Sequence, residues 1–199
     1  MKVIILDFDD TIYNGTVWGN WKSYVKGFLL KQFNNNQKKL DDFIQKYSID
    51  KANYFAQTIA NSLIAEFGSA KPFADYESEN IYPLQAHDLK FADIKFLKQL
   101  TSKFPVYIVS NSSVNFCVQH LKEQNIDPNI FKGIYSNQFE AEDSTKSIYY
   151  KQIIAKENVK GSDVLVIGDN FVNDLLPAIE LGCKTFLVQT LDNLYSIPY

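Results

Sequence analysis

Val3-Ile4-Ile5-Leu6-Asp7-Phe8-Asp9-Asp10-Thr11 (VIILDFDDT) runs four apolar residues straight into three carboxylates within four positions. A continuous apolar run of this length suits a strand buried on both faces, as in a parallel sheet covered by helices. Carboxylates crowded at such a strand end repel one another and lose hydration, so they are tolerable only where a cation or strong donors share the space. The stretch therefore predicts a fold and a site together.

Two further runs have the same design. Val106-Tyr107-Ile108-Val109 ends in Ser110, and Val164-Leu165-Val166-Ile167 ends in Gly168-Asp169. Helical patterns flank them. Ile94, Leu97 and Leu100 share a face before the second run, and Val114, Cys117, Val118 and Leu121 share one after it. Another helix is expected from about Ser147 (Ile148, Ile153, Ile154). A further one follows Asp174 and closes at Gly182, and the segment Cys183 to Thr190 reads as a last strand. Strand and helix alternate, which predicts an α/β, Rossmann-like doubly wound parallel sheet. Ligands of such sheets bind at the carboxyl ends of the strands, where Asp7, Ser110 and Asp169 all fall.

Between the first two runs, about Tyr13 to His87, no comparable strand occurs. Trp21, Val25, Phe28 and Leu29 make one helical face, and Leu40, Phe43 and Ile44 a second. Asp50 is placed to N-cap a third, carrying Phe55, Ile59, Leu63 and Phe67 to a stop at Gly68. The expected organisation is a core of residues 1–14 and 88–199 with an all-helical insertion of residues 15–87. Gly15, Gly19 and Pro83 punctuate its ends, and Asn34-Asn35-Asn36 reads as a turn.

Composition narrows the partners. The 199 residues, 46% hydrophobic and 22% charged, suit a soluble globular protein. The net charge of -3 and the scattered lysines argue against nucleic-acid binding, which favours a basic stripe. No apolar run approaches the ~20 residues that span a bilayer, and Asp7 ends the first run too early for a signal peptide, so the expected location is cytoplasmic and off the membrane. Cys117 and Cys183 lack metal-ligand spacing and read as reduced thiols. A monomer or homodimer is expected.

The acidic cluster calls for a hard cation bound through oxygen, and Mg²⁺ fits, because it accepts one or two carboxylates while gripping substrate phosphate. Asp169 and Asp174 near another strand end would complete such a site. On these residues the chain resembles the haloacid dehalogenase-like hydrolases, a superfamily dominated by phosphatases. Asp7-Phe8-Asp9-Asp10-Thr11 matches the family's Asp-x-Asp-x-Thr after the first strand. Ser110 matches its strand ending in Ser or Thr, Lys146 its lysine ahead of a helix, and Gly168-Asp169 with Asp174 its last acidic motif.

The resemblance implies a role for each. Asp7 would be the nucleophile, forming an aspartyl phosphate. Asp9 would act as general acid, then as general base. Asp7, Asp169 and the Asp9 backbone carbonyl would hold Mg²⁺. Ser110, the Asn111 amide and Lys146 would bind the phosphoryl group. Thr11 would support from a second layer, and Asp174 would orient Lys146 or a metal-bound water. Asp10 stands where the family often has glycine and is given no catalytic role.

Read as residues alone, some of these stay open. Ser110 also suits a plain strand-end turn, Asp174 a helix N-terminus, and Lys151 and Lys156 compete with Lys146. His87 and His120 match no motif and read as surface or helix positions. The insertion resembles the family's C1-type helical cap. Tyr13, Trp18, Trp21 and Lys22, just after the acidic loop, would meet a sugar, base or second anion, although core packing of the cap accounts for Trp21 and its neighbours better. The implied function is Mg²⁺-dependent hydrolysis of a small phosphorylated metabolite. The alternatives are a phosphomutase of the beta-phosphoglucomutase type, which uses the same residues, and a non-catalytic phosphate-binding regulatory module. Dehalogenation gives Asp9 and the metal ligands no purpose, and phosphonate cleavage would need a Schiff-base lysine such as Lys22.

Overall fold

The structure, a computed structural model, describes residues 1–14, 18–51, 55–76, 90–136 and 146–197, with the side chains of all but 14, 18–24, 55–58 and 74. Gly15, Pro83 and His87 lie outside the described residues, as do the side chains of Trp18, Trp21, Lys22 and Phe55.

The chain divides into two compact units. One is built on β1 (Val3–Leu6), whose four residues are all buried. Its odd and even side chains point to opposite faces, so both faces must be covered. β1 lies at the centre of a parallel sheet between β4 (Val106–Ser110) and β6 (Val164–Gly168), with β5 (Gly133–Ser136) and β7 (Lys184–Leu187) at the edges. The order β5-β4-β1-β6-β7 means that the chain runs outward on one side, then crosses β1 to start the other. That reversal opens a crevice at the carboxyl end of β1. Leu6 pairs level with Ile108 and with Ile167, and the Asp7 amide extends the ladder to the Ile167 carbonyl at 2.8 Å. Register therefore brings Asp7, Ser110 and Asp169 to one edge of the sheet.

On one face Val3 and Ile5 pack with Tyr107, Val109, Val164 and Val166 against α7 (Ser147–Lys156) and α8 (Leu176–Glu180), through Tyr150, Ile153 and Ala178. Two helices differ from the pattern expected. α7 buries Tyr150 and leaves Ile148 45% exposed, because the Tyr150 hydroxyl finds a buried acceptor in the Asp174 carbonyl at 3.2 Å. α6 (Val114–Glu123) turns Phe116, Cys117, His120 and Leu121 inward and Val114 outward. The Ser113 hydroxyl caps its start, accepting from the Phe116 amide at 3.0 Å. The reason is area: the stacked rings of Phe116 and His120, 4.2 Å apart, cover more apolar surface than Val114 would. His120 is thus a core residue, not a surface one. Burial pushes its imidazole down to about 4, so it is neutral at physiological pH.

The helix expected after Asp174 begins earlier, as a π-helical turn at Phe171–Leu175 that leads into α8. Asn170 caps it, its side-chain oxygen accepting from the amides of Val172 and Asn173, so Asp174 sits inside the turn. The expected stop holds: Gly182 has a left-handed φ of 73°, and the Cys183 amide reaches back to the Ala178 carbonyl. Both cysteines are buried free thiols. β5 carries no apolar run, being a half-buried edge strand, and it was not foreseen. A short ribbon pairs β2 (Tyr13–Asn14) with β3 (Lys90–Phe91), antiparallel.

The second unit holds α1 (Trp18–Gln32), α2 (Gln37–Lys46), α3 (Phe55–Phe67) and α4 (Lys71–Tyr76). Its core gathers Val25, Phe28, Leu29, Leu40, Phe43, Ile59, Leu63 and Phe73. Asn34 and Asn35 take left-handed φ values in the turn, and the Asn36 side chain caps α2. Asp50 is not the cap of α3. It lies in the 3-10 turn Ile49–Lys51 and pairs with Lys26 at 3.4 Å. Phe67, expected on the inner face, is 46% exposed. Among the described residues no helix is long and apolar enough to cross a membrane.

Since β1 carries the sheet, truncating Ile5, which is fully buried, is expected to cost about 2–5 kcal/mol in urea unfolding of Ile5→Ala. A loss below ~1 kcal/mol would contradict a central, fully covered strand.

Candidate functional site

The crevice is built around one buried ammonium. Lys146, 3% exposed just before α7, places its Nζ 2.5 Å from Asp7 Oδ1 and 2.6 Å from Asp174 Oδ1. Lys151 and Lys156 lie farther along α7 and are exposed. Thr11 donates its hydroxyl to the other oxygen of Asp7 at 3.3 Å, so the Asp7 carboxylate is oriented from both sides. The Asp174 Oδ2 accepts from the Asn170 amide at 2.9 Å. That approach explains Gly168: a Cβ there would meet Asp174 Oδ2 at 2.4 Å and Asp174 Cβ at 2.6 Å. The glycine before Asp169 is what lets Asp174 reach the lysine.

Asp9 is held by hydroxyls. Tyr13 donates to its Oδ1 at 2.5 Å, Ser112 to the same oxygen at 3.1 Å, and Ser110 to Oδ2 at 2.8 Å. Ser110 Oγ in turn accepts from the Ser112 amide at 2.9 Å, and the Ser112 carbonyl accepts from Ser136. Asn111 sits between the two serines, half-buried. The loop from β1 makes this possible: the Ile12 amide bonds the Phe8 carbonyl, and Asp10 takes a left-handed φ of 52°. That conformation suits glycine best and aspartate tolerably, which accounts for an aspartate at that position.

Tyr13 is accordingly not a lid residue. It is 1% exposed within the sheet-bearing unit, packed on Phe8 and Phe91. The sequence suggested a place facing substrate, with the lid residues, because it follows the acidic loop. The signal that places it is the four-residue spacing from Asp9 together with the β2–β3 pairing to Phe91. Ser112, Asn170 and Tyr150 were also missed, since each works through a backbone or a second side chain.

Carboxyl oxygens of Asp7, Asp169 and Asp174 lie within 4.8 Å of one another. Three carboxylates facing one ammonium leave an uncompensated charge of two, in an oxygen-only donor set suited to a hard divalent cation. The protonation energetics say the same. Burial raises the Asp7 carboxyl well above the usual carboxylate range, the Lys146 charge opposing this and Asp174, Asp9 and Asp169 adding to it. Asp169 is pushed up to about 7, first by desolvation and then by the charges of Asp174 and Asp10. Lys146 remains charged, the pull of Asp174 and Asp7 outweighing burial.

Fold and candidate site together define a Rossmann-like α/β protein with a cluster of carboxylates and a buried lysine at the carboxyl edge of its sheet. A family model for haloacid dehalogenase-like hydrolases matches residues 1–182, and the chain belongs to that family. No curated protein matches the chain. Among solved structures, it is similar to a haloacid dehalogenase-like family hydrolase from Streptococcus pneumoniae at 18% identity, over 98% of this chain and 90% of that one, with a TM-score of 0.61. It is also similar to a predicted phosphoglycolate phosphatase from Haemophilus somnus (15% identity, 94% and 85% coverage, TM-score 0.59). A third is a family enzyme from Bacteroides thetaiotaomicron in complex with magnesium and inorganic phosphate (15%, 96% and 95%, 0.52). At these identities the likeness shows the fold.

The raised carboxyls set a pH dependence. A carboxyl whose folded pKa exceeds its unfolded value stabilises the fold fully below the unfolded pKa, and that contribution is lost as pH rises through the folded one. In EDTA the thermal midpoint is therefore expected to fall as pH rises from about 6.5 to about 8, through the Asp169 value of about 7 and above the range in which the depressed His120 imidazole acts in the opposite sense. A divalent cation is expected to restore it, binding more tightly as pH rises because it displaces those protons. A midpoint in EDTA that is flat across this range would contradict the charge balance described.

Proposed function

We propose that this hydrolase is a Mg²⁺-dependent phosphatase that cleaves a small phosphorylated metabolite through an aspartyl phosphate on Asp7. The observation that carries the reading is the Asp7 carboxylate itself, fixed at the carboxyl end of the central strand between Lys146 and Thr11. A carboxylate so oriented is a nucleophile aimed by its partners.

Asp7 attacks phosphorus, and the bond to the leaving oxygen breaks as Asp9 supplies a proton. Water then attacks the aspartyl phosphate, Asp9 takes its proton, and phosphate leaves with Asp7 restored. Ser110 turns its hydroxyl from Asp9 to a phosphoryl oxygen, beside the Asn111 amide, and Lys146 balances charge on Asp7 and on the transferring group. Mg²⁺ would be held by Asp7, Asp169 and the Asp9 carbonyl, with Asp174 in reach, and would offset the repulsion between carboxylate and phosphate. Asp174 keeps Lys146 in place. The relative complexed with magnesium and inorganic phosphate, and the one described as a predicted phosphoglycolate phosphatase, support this chemistry. Residues 15–87 are assigned as the cap of the C1 type, the part that would select the substrate and exclude water.

The test is phosphate release from a panel of phosphorylated sugars, nucleotides and p-nitrophenyl phosphate, with Mg²⁺ or with EDTA. Turnover is expected only with Mg²⁺, and Asp7→Asn is expected to lower it by at least ~10³-fold, since the covalent route is then closed. Asp7→Asn retaining more than about a tenth of the activity would overturn the nucleophile assignment.

A further inference from the structure

The two oxygens of Asp9 are held unequally. Oδ1 accepts from two hydroxyls, Tyr13 at 2.5 Å and Ser112 at 3.1 Å, while Oδ2 accepts only from Ser110 at 2.8 Å among the hydrogen bonds described. Ser110 is the hydroxyl assigned to the phosphoryl group, so its donation to Oδ2 ends when that group arrives. The two donors on Oδ1 have no such second task.

Tyr13 is itself immobilised. Its ring stacks on Phe91 (5.4 Å, 26°) and meets Phe8 edge-on (5.1 Å, 62°), with His120 5.7 Å away. The backbone of Tyr13 is fixed by pairing with Phe91 and bridges Asp9. Aromatic packing needs the ring and not the hydroxyl, because a phenylalanine fills the same space. The phenolic oxygen of a buried ring needs a partner, and that partner is the Asp9 carboxylate.

We propose that Tyr13, together with Ser112, is the positioning residue of Asp9. The pair clamps Oδ1 so that Oδ2 alone carries the catalytic proton, and Ser110 releases Oδ2 when the phosphoryl group binds. This rests on the reading of Asp9 as general acid and base. In the substrate complex Oδ2 bears the proton. It passes to the leaving oxygen as the phosphorus–oxygen bond breaks, and Oδ2 regains one from the water that hydrolyses the aspartyl phosphate. Tyr13 keeps its own proton throughout. Its work is to fix a carboxyl that would otherwise rotate, and a misaligned acid costs rate even when present.

A positioning role of this kind has a signature that mere structural support lacks. Protonation matters for a poor leaving group such as phenolate and little for p-nitrophenolate, although the two substrates are nearly the same size. The experiment measures kcat/KM, which reports formation of the phosphoenzyme, for phenyl phosphate and p-nitrophenyl phosphate with the full chain and Mg²⁺. Tyr13→Phe is expected to lose about tenfold more on phenyl phosphate than on p-nitrophenyl phosphate, the worth of one charge-assisted hydrogen bond. Ser112→Ala, which alters no core packing of the ring, is expected to shift the ratio in the same direction and keeps the clamp testable if Tyr13→Phe fails to fold. Equal losses on the two substrates, or no loss, would overturn the proposal. Asp9→Asn is run beside them. If it too shows no preference for the better leaving group, the general-acid reading fails and the clamp with it; if Asp9→Asn shows the preference and the Tyr13 and Ser112 variants do not, the clamp alone is wrong.

Discussion

The buried contact of Lys146 with Asp7 and Asp174 is the constraint on which the rest of the core site depends. Bringing an ammonium and two carboxylates out of water costs more than a single pair returns, unless geometry is close and every partner is held. Here each is. Asp7 is fixed by the strand ladder and Thr11, Asp174 by the Asn170 amide, and Lys146 by the start of α7. Three elements distant in sequence meet at one nitrogen. Removing a single partner would leave a buried charge uncompensated, which is why the surrounding backbone shows such specific features. The wide π turn carries Asp174 inward, and Gly168 clears the room it needs.

That contact also determines what the site lacks on its own. One ammonium cannot neutralise Asp7, Asp169 and Asp174, so the group is poised for a divalent cation and, beyond it, for an anion. The same electrostatics divide the labour among the aspartates. Asp7, beside Lys146, is held by charge, which fits the nucleophile proposed for it. Asp9, beside three hydroxyls, is held by neutral donors, which fits the proton transfer proposed for it. Two carboxylates two residues apart thus have side chains in different surroundings, one against an ammonium and one among hydroxyls.

Much of this was legible in the sequence, for reasons that can be stated. β1, β4 and β6 are buried on both faces, so their apolar runs are unbroken, and the polar residues that end them mark the edge of the sheet where ligands bind. β5 escaped because an edge strand is half-covered and its residues Gly133 to Ser136 carry no run. The inner face of α6 was misjudged because two overlapping helical faces fit its periodicity, and ring packing in the tertiary structure chose between them. Of three nearby lysines, spacing alone could not select Lys146; only the family pattern did, and its burial is the physical reason. Tyr13 falls on the core side of the expected boundary, but it was grouped with the lid residues that would meet substrate, because a residue just after the acidic loop can face either a ligand or the core. A two-residue ribbon with Phe91, far along the chain, settles it.

A nucleophilic Asp7 must itself become phosphorylated during turnover, and chemical trapping reads that species. Protein turning over a substrate in Mg²⁺ is quenched with borohydride, which reduces an acyl phosphate to the alcohol, and peptides are read by mass spectrometry. Conversion of Asp7, and of no other aspartate, to homoserine is expected in a substrate-dependent manner. Turnover with Asp7 unmodified, or with the label on Asp9, Asp169 or Asp174, would contradict it.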